Sequence, residues 1–229
     1  MDRSRISRLL QLASSPDRDD RACAARGLGN MGMAAARPEV IEALVRLLRD
    51  DDLFVRTDAA IALGQLGEAA ARPEVLSALV RVLYRDDASI VTGNAARALG
   101  RMGRHAATPE VLNTLAWMAC QGRYRFDRDE AIWALWRIGG WAATDSVFQA
   151  LARVIERGND ESPNAVRALW EIAVQAGGEF FEKVRAFLEG IMGDIELRIA
   201  CAVLAGEHPE YEVRLRKVIC EVLEGDGSL

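Results

Sequence analysis

Arg97, Arg101, Arg137 and Arg167 set planar cations around the ring of Trp133, and Glu130 places a carboxylate among them. A guanidinium stacks on an indole face and grips a carboxylate through two parallel hydrogen bonds, so this set has the chemistry of an interface hot spot rather than of bond making. The spacing is helical. Arg97 and Arg101 lie four residues apart, as do Trp133 and Arg137, while Glu130 precedes Trp133 by three, so each group shares one helix face. The six residues are therefore expected to form a partner-binding surface for a protein or peptide.

Catalytic chemistry has far less to work with. His105 and His208 are the only histidines, and every glycine falls at a helix end or in a turn, so no phosphate-cradling loop is present. Asp129 and Glu130 follow Arg128 and read as salt-bridge partners rather than an acid–base pair. Cys23, Cys120, Cys201 and Cys220 are widely spread, without a paired spacing or neighbouring histidines. No catalytic residue, metal site or cofactor is expected. The net charge of −5, with acidic clusters at Asp50, Asp51, Asp52 and at Asp86, Asp87, repels phosphate backbones and makes nucleic acid a poor partner. Nearly all positive charge is arginine, Lys183 and Lys217 being the only lysines, which a coding bias toward Arg, Ala and Gly explains. The N-terminal stretch lacks the apolar run of a secretory signal, and no later stretch reaches the roughly 18 apolar residues of a membrane span. A cytoplasmic protein with reduced thiols and no membrane contact is expected.

The elements that position these residues come from an internal repeat. One column holds Gly29, Gly64, Gly100, Trp136, Trp170 and Gly206. Five positions before it lie the small residues Ala24, Ala59, Ala95, Ala131, Ala165 and Cys201, with Leu28, Leu63, Leu99, Leu135, Leu169 and Ala205 four further on. A column that never admits a large side chain implies close helix approach. Each block also contains an earlier amphipathic helix: from Pro38, Val40, Ile41, Leu44, Val45, Leu47 and Leu48 face one way and Glu42, Arg46 and Arg49 the other. Pro38, Pro73 and Pro109 suit a first helical position, Glu39, Glu74 and Glu110 oppose the helix dipole, and Thr108 is a ready cap. No strand alternation competes. The predicted fold is an all-α, right-handed solenoid of antiparallel helix pairs, with about six repeats and a capping helix over 210–223. One domain over 1–224 and a flexible tail over 225–229 complete it.

At Asp52, Val55, Arg56, Ala59, Ala60, Ala62, Leu63 and Gly64 the chain resembles a HEAT repeat, and the short blocks are similar to phycobilisome-lyase HEAT-like repeats. The likeness spans nearly the whole chain, strongest in the blocks ending at Gly32, Gly67 and Gly103. Tetratricopeptide arrays share the period, but their Trp-x-x-Leu-Gly-x-x-Tyr spacing is missing. The resemblance implies a ladder between a turn Asp and a second-helix Arg. Here that column reads Arg21, Arg56, Thr92, Arg128, Ser162 and Arg198, predicting looser joints at Thr92 and Ser162. It also implies a binding scaffold with second helices on the concave side. Two alternatives come with it: a bilin lyase or chaperone, whose tetrapyrrole would meet the same arginines and aromatics, and a nucleic-acid-binding HEAT-like protein. Deoxyhypusine hydroxylase, a HEAT-repeat enzyme, is excluded because its paired His-Glu motifs are missing.

Read across repeats, the outward positions of the second helices form ladders: Arg26, Ile61, Arg97, Trp133, Arg167, Val203; Asn30, Gln65, Arg101, Arg137, Glu171, Glu207; and Cys23, Asp58, Asn94, Glu130, Asn164, Ala200. Trp133 is expected to be exposed and available for binding. Trp136 and Trp170, in the glycine column, are open to either a packing or a surface role, and Trp117 stands on the outer helix in the column of Arg46 and Arg81.

Overall fold

Six of the described helices begin where a side chain caps the first turn or a proline opens it. Asp17 accepts from the Asp19 N–H at 2.8 Å, Asp52 from Phe54 at 2.8 Å and Val55 at 3.3 Å, and Thr108 and Thr144 each accept from the residue three ahead at 3.3 Å. Pro38, Pro73 and Pro109 each open a helix behind an extended residue.

The computed structural model describes residues 2–158 and 162–191. Within them the helices are α1 (Asp2–Leu12), α2 (Arg18–Asn30), α3 (Pro38–Leu47), α4 (Leu53–Leu66), α5 (Pro73–Arg85), α6 (Ser89–Arg101), α7 (Pro109–Gln121), α8 (Arg125–Ile138), α9 (Asp145–Glu156), α10 (Ser162–Ala176) and α11 (Gly178–Ile191). Among the described residues there is no strand, and the fold is the all-α solenoid of helix pairs. The expected second helix of the sixth pair, the capping helix over 210–223 and the tail over 225–229 lie outside the described residues.

Second helices end in a way the periodicity alone did not specify. Gly32, Gly67, Gly103 and Gly139 take positive φ, between 55 and 69°, and each starts a short 3-10 turn ending at Ala35, Ala70, Ala106 or Ala142. A left-handed φ is cheap only for glycine, which explains its recurrence there. Each closing alanine is fully buried, and the 3-10 turns stack on one another as a third row beside the two rows of helices.

The small columns act as read. Ala24, Ala59, Ala95, Ala131 and Ala165 are fully buried, as are the leucines four residues on. In the glycine column a Cβ at Gly64 would lie 3.0 Å from Ala98 Cα, and one at Gly100 would lie 2.7 Å from Ala134 Cα. The second helices thus pack backbone against backbone, more closely than the first helices do, and the stack curves toward their side.

Along one edge runs the arginine ladder. Arg21 Nε and Nη2 donate to Asp50 at 2.6 and 2.8 Å while Nη1 donates to the carbonyls of Ser15 and Pro16; Arg56 repeats this with Asp86 at 2.5 and 3.2 Å and with the Asp50 and Asp51 carbonyls. Each arginine fastens its own turn to the next one. The two interruptions are not left open. Thr92 and Ser89 hydroxyls donate to the buried carboxylate of Asp127 at 2.8 and 2.7 Å, and the Ser162 hydroxyl donates to the Val154 carbonyl at 3.0 Å. At Thr92 the expected looser joint is instead a change of linkage, because its short hydroxyl reaches Asp127 of the next repeat, whereas the Ser162 bond stays within its own helix pair, α9 and α10.

Two outcomes are expected from this packing. Gly100→Ala should destabilise the protein by about 1–3 kcal/mol in urea unfolding, whereas Gly190→Ala, with nothing within 4 Å, should stabilise it by about 0.5–1 kcal/mol. The hydrogen bond from Arg21 holds the Asp50 carboxyl below its ordinary range, against the opposing effect of burial. Its stabilisation is then complete above about pH 4 and is lost as pH falls through the lower folded value. Asp50→Asn should lower the urea midpoint at neutral pH and flatten its fall in acid.

Candidate interaction face of the second helices

Four outward positions recur on each second helix, at intervals of four, three and four residues that keep them on one side. On α4 they are Phe54, Asp58, Ile61 and Gln65; on α6 Ile90, Asn94, Arg97 and Arg101; on α8 Phe126, Glu130, Trp133 and Arg137. The last three ladders match the sequence reading. The first does not appear in it: Phe54, Ile90 and Phe126, spaced by one repeat, are 60%, 47% and 41% exposed. Their regular spacing was the available signal, but an apolar residue near a helix start reads from sequence as core. The Phe126 ring rests on Gly93, where a Cβ would overlap it.

Charge on this face is organised diagonally. Arg97 Nε donates to Glu130 Oε2 at 2.7 Å and its Nη2 to Oε1, and two joints earlier Arg26 pairs with Asp58 at 3.2 Å. Each carboxylate is thus met by an arginine of the preceding second helix. The hydrogen bond with Glu130 raises the Arg97 guanidinium above its ordinary value, while burial pushes the Asp58 carboxyl up. Glu130 is only 7% exposed. It cannot be a broad contact residue as expected; it anchors Arg97. Glu171, in the ladder of Arg101 and Arg137, is also buried. Arg101 and Arg137 themselves are exposed, and among the described residues neither has an ion-pair partner.

The tryptophans occupy three environments. Trp133 is half-buried rather than open, because its ring lies over Gly100 and packs against the core; Arg97 and Arg137 stand 6.0 and 5.8 Å from its centroid. Trp170 is buried and meets Phe181 at 5.5 Å, so its role is packing. Trp136 is half-buried, with the Arg167 guanidinium 5.1 Å above its ring. On the outer row Trp117 is exposed and stacks with Tyr84 at 5.5 Å.

Cavities line the joints of this face, one of about 350 Å³ at the α2–α4 joint beside Arg26, Phe54 and Asp58. At the α4–α6 joint, where Gly64 permits close approach, a cavity of about 100 Å³ lies beside Ile61, Arg97 and Arg101. At the α8–α10 joint the Trp136 indole replaces glycine, and a groove of about 290 Å³ opens between Glu130, Trp133, Trp136, Asn164, Arg167 and Ala168. There α10 makes its close approach near its C-terminal end, where the Gly140 N–H donates to Gln175 at 3.0 Å. Five of the six predicted residues therefore lie along one strip from α6 to α10, with Glu130 beneath it. Among the described residues no group of His, Cys, Asp and Glu could hold a metal ion, and no helix is long and apolar enough to cross a membrane.

Residues 6–100 match the family described as HEAT repeats. An engineered protein of known structure is similar over 96% of this chain and 97% of its own, at 21% identity and a TM-score of 0.63. A designed armadillo repeat protein in complex with peptide (KR)4 matches over 84% of this chain and 95% of its own, at 21% identity and 0.61. Kap121p matches at 19% identity and 0.69 over 95% of this chain, which spans 23% of Kap121p. No curated protein matches the sequence. The family likeness is to HEAT repeats over residues 6–100, and the fold shared with these structures is an α-helical repeat solenoid.

The diagonal pairing separates the arginines by their contribution to stability. Arg97→Ala leaves the Glu130 carboxylate buried without its charge partner and should cost about 1–3 kcal/mol in urea unfolding. Arg101→Ala removes an exposed cation and should change stability by less than about 0.5 kcal/mol.

Proposed function

We propose that this chain is a non-catalytic scaffold that holds a partner protein or peptide against its second helices, centred on Arg97, Arg101, Trp133, Arg137 and Arg167. The observation that carries this reading is the setting of Trp133: a large ring held between two guanidiniums at the mouth of a groove of about 290 Å³. Hot spots are built this way, from aromatic and arginine anchors whose neighbours exclude water. The fold supports the same reading, since the designed armadillo repeat protein that it resembles is in complex with a peptide.

A groove of this size sits at the lower limit of small-molecule pockets, about 300–1,000 Å³. It suits one inserted side chain better than a tetrapyrrole, which favours a protein partner over bilin. The net charge of −5 likewise favours protein over nucleic acid.

Affinity capture from the native cell, read by mass spectrometry, tests the proposal when wild type is compared with Arg137→Ala and Trp133→Ala. Arg137→Ala should leave the melting temperature nearly unchanged and weaken retention of the captured partner by about 2 kcal/mol. Trp133→Ala should weaken it at least as much while also lowering stability, because its ring packs on Gly100. Equal retention by the folded Arg137→Ala protein would overturn the assignment.

A further inference from the structure

Two unpartnered rows flank the face on which Trp133 sits, and they differ in chemistry. At the N-terminal ends of α4, α6 and α8 lies the apolar row of Phe54, Ile90 and Phe126, exposed on successive repeats. At the C-terminal ends of α6 and α8 lie Arg101 and Arg137, exposed and without ion-pair partners among the described residues. Between the rows, the Asp58 and Glu130 carboxylates are matched by Arg26 and Arg97, so the floor is nearly charge-balanced. The outer arginine row therefore sets the sign of the field, positive on a chain whose net charge is −5.

We infer that the partner is an amphipathic α-helix lying across α4, α6 and α8, with an apolar edge on Phe54, Ile90 and Phe126 and an acidic edge on Arg101 and Arg137. This rests on the proposal that the face binds a protein, and adds the partner's shape and charge.

Dimensions favour a helix. Phe126 and Arg137 are separated by eleven residues of α8, which is about 16 Å along its axis. A helix with its side chains is about 10–12 Å across, and the long Arg137 side chain can reach over the remaining few ångströms, so such a helix can touch both rows. Packed helices lie about 8–10 Å apart, close to the rise of about seven residues of a helix laid across them. Acidic residues about one heptad apart would then meet Arg101 and Arg137 in turn, and apolar residues with the same repeat would meet Ile90 and Phe126. The charge requirement is the opposite of the basic (KR)4 peptide seen with the designed armadillo repeat protein.

The test uses the full chain and synthetic helical peptides of about 21 residues, about 31 Å long. One carries Leu along one edge and Glu along the other at heptad spacing; a second replaces Glu by Lys; a third scrambles the first. Binding is read by calorimetry and by the intrinsic tryptophan fluorescence. The Glu-edged peptide should bind at least about tenfold more tightly than either of the others, and added salt should weaken it. Arg101→Glu with Arg137→Glu should remove that preference and transfer it to the Lys-edged peptide, with the circular dichroism melt confirming a folded protein. Ile90→Ser should weaken the Glu-edged peptide without altering its preference over the Lys-edged one. Equal binding of the Glu-edged and scrambled peptides, tighter binding of the Lys-edged peptide to wild type, or no effect of the double arginine variant overturns the proposal. If such a failure coincides with Arg137-dependent capture from cells, the helix assignment alone is lost and the scaffold reading stands.

Discussion

Backbone contact between successive second helices is the constraint on which the remaining features depend. Gly64 and Gly100 face Ala98 and Ala134 at distances that leave no room for even one further methyl group. A hydrophobic contact made this closely loses energy through both added and missing volume, so the column holds Gly and Ala rather than an arbitrary small set. The close approach of these helices compared with the outer row curves the array and turns four side-chain positions per helix toward a common face. The capping residues, prolines and positive-φ glycines then serve one end: they let each chain segment reverse within a few residues so that the next helix lands in register.

Where that constraint is relaxed, function becomes possible. Trp136 stands where glycine would be, and its indole lines the groove beside Trp133 and Arg167. Trp170, in the same column, is buried with its ring against Phe181 on α11. The two tryptophans occupy one column yet play different parts, decided by whether a neighbour can cover the ring. Likewise Thr92 breaks the arginine ladder but finds Asp127 of the next repeat, so the edge of the solenoid changes chemistry there without losing its tie.

Much of the fold was legible because periodicity averages over single-residue noise. Six copies of a small column, a leucine column and a glycine column leave little freedom in where helices face, and Pro38, Thr108 and Asp52 mark starts through local hydrogen-bonding needs that require no tertiary information. The 3-10 turns from Gly32, Gly67, Gly103 and Gly139 were less legible: a glycine at a helix end signals a stop, but which short conformation follows depends on where its buried alanine must go. The candidate site was legible as a strip of columns and illegible in its depths. Glu130 and Arg97 could be placed on adjacent helices, yet only packing shows that the acid is buried and that its arginine is committed to it.

The residues alone determined the all-α repeat, the register of its helices and the columns from which any binding face must be drawn, because helical periodicity and capping are local properties repeated many times. The tertiary structure decided which members of those columns remain available. Trp133 is half-covered by the approach at Gly100, Glu130 is enclosed beneath Arg97, and Phe54, Ile90 and Phe126 stay exposed at their helix starts, the Phe126 ring lying over Gly93 of the preceding second helix. Burial is set by the distance between elements far apart in the chain, and a pattern read along the chain carries no measure of that distance.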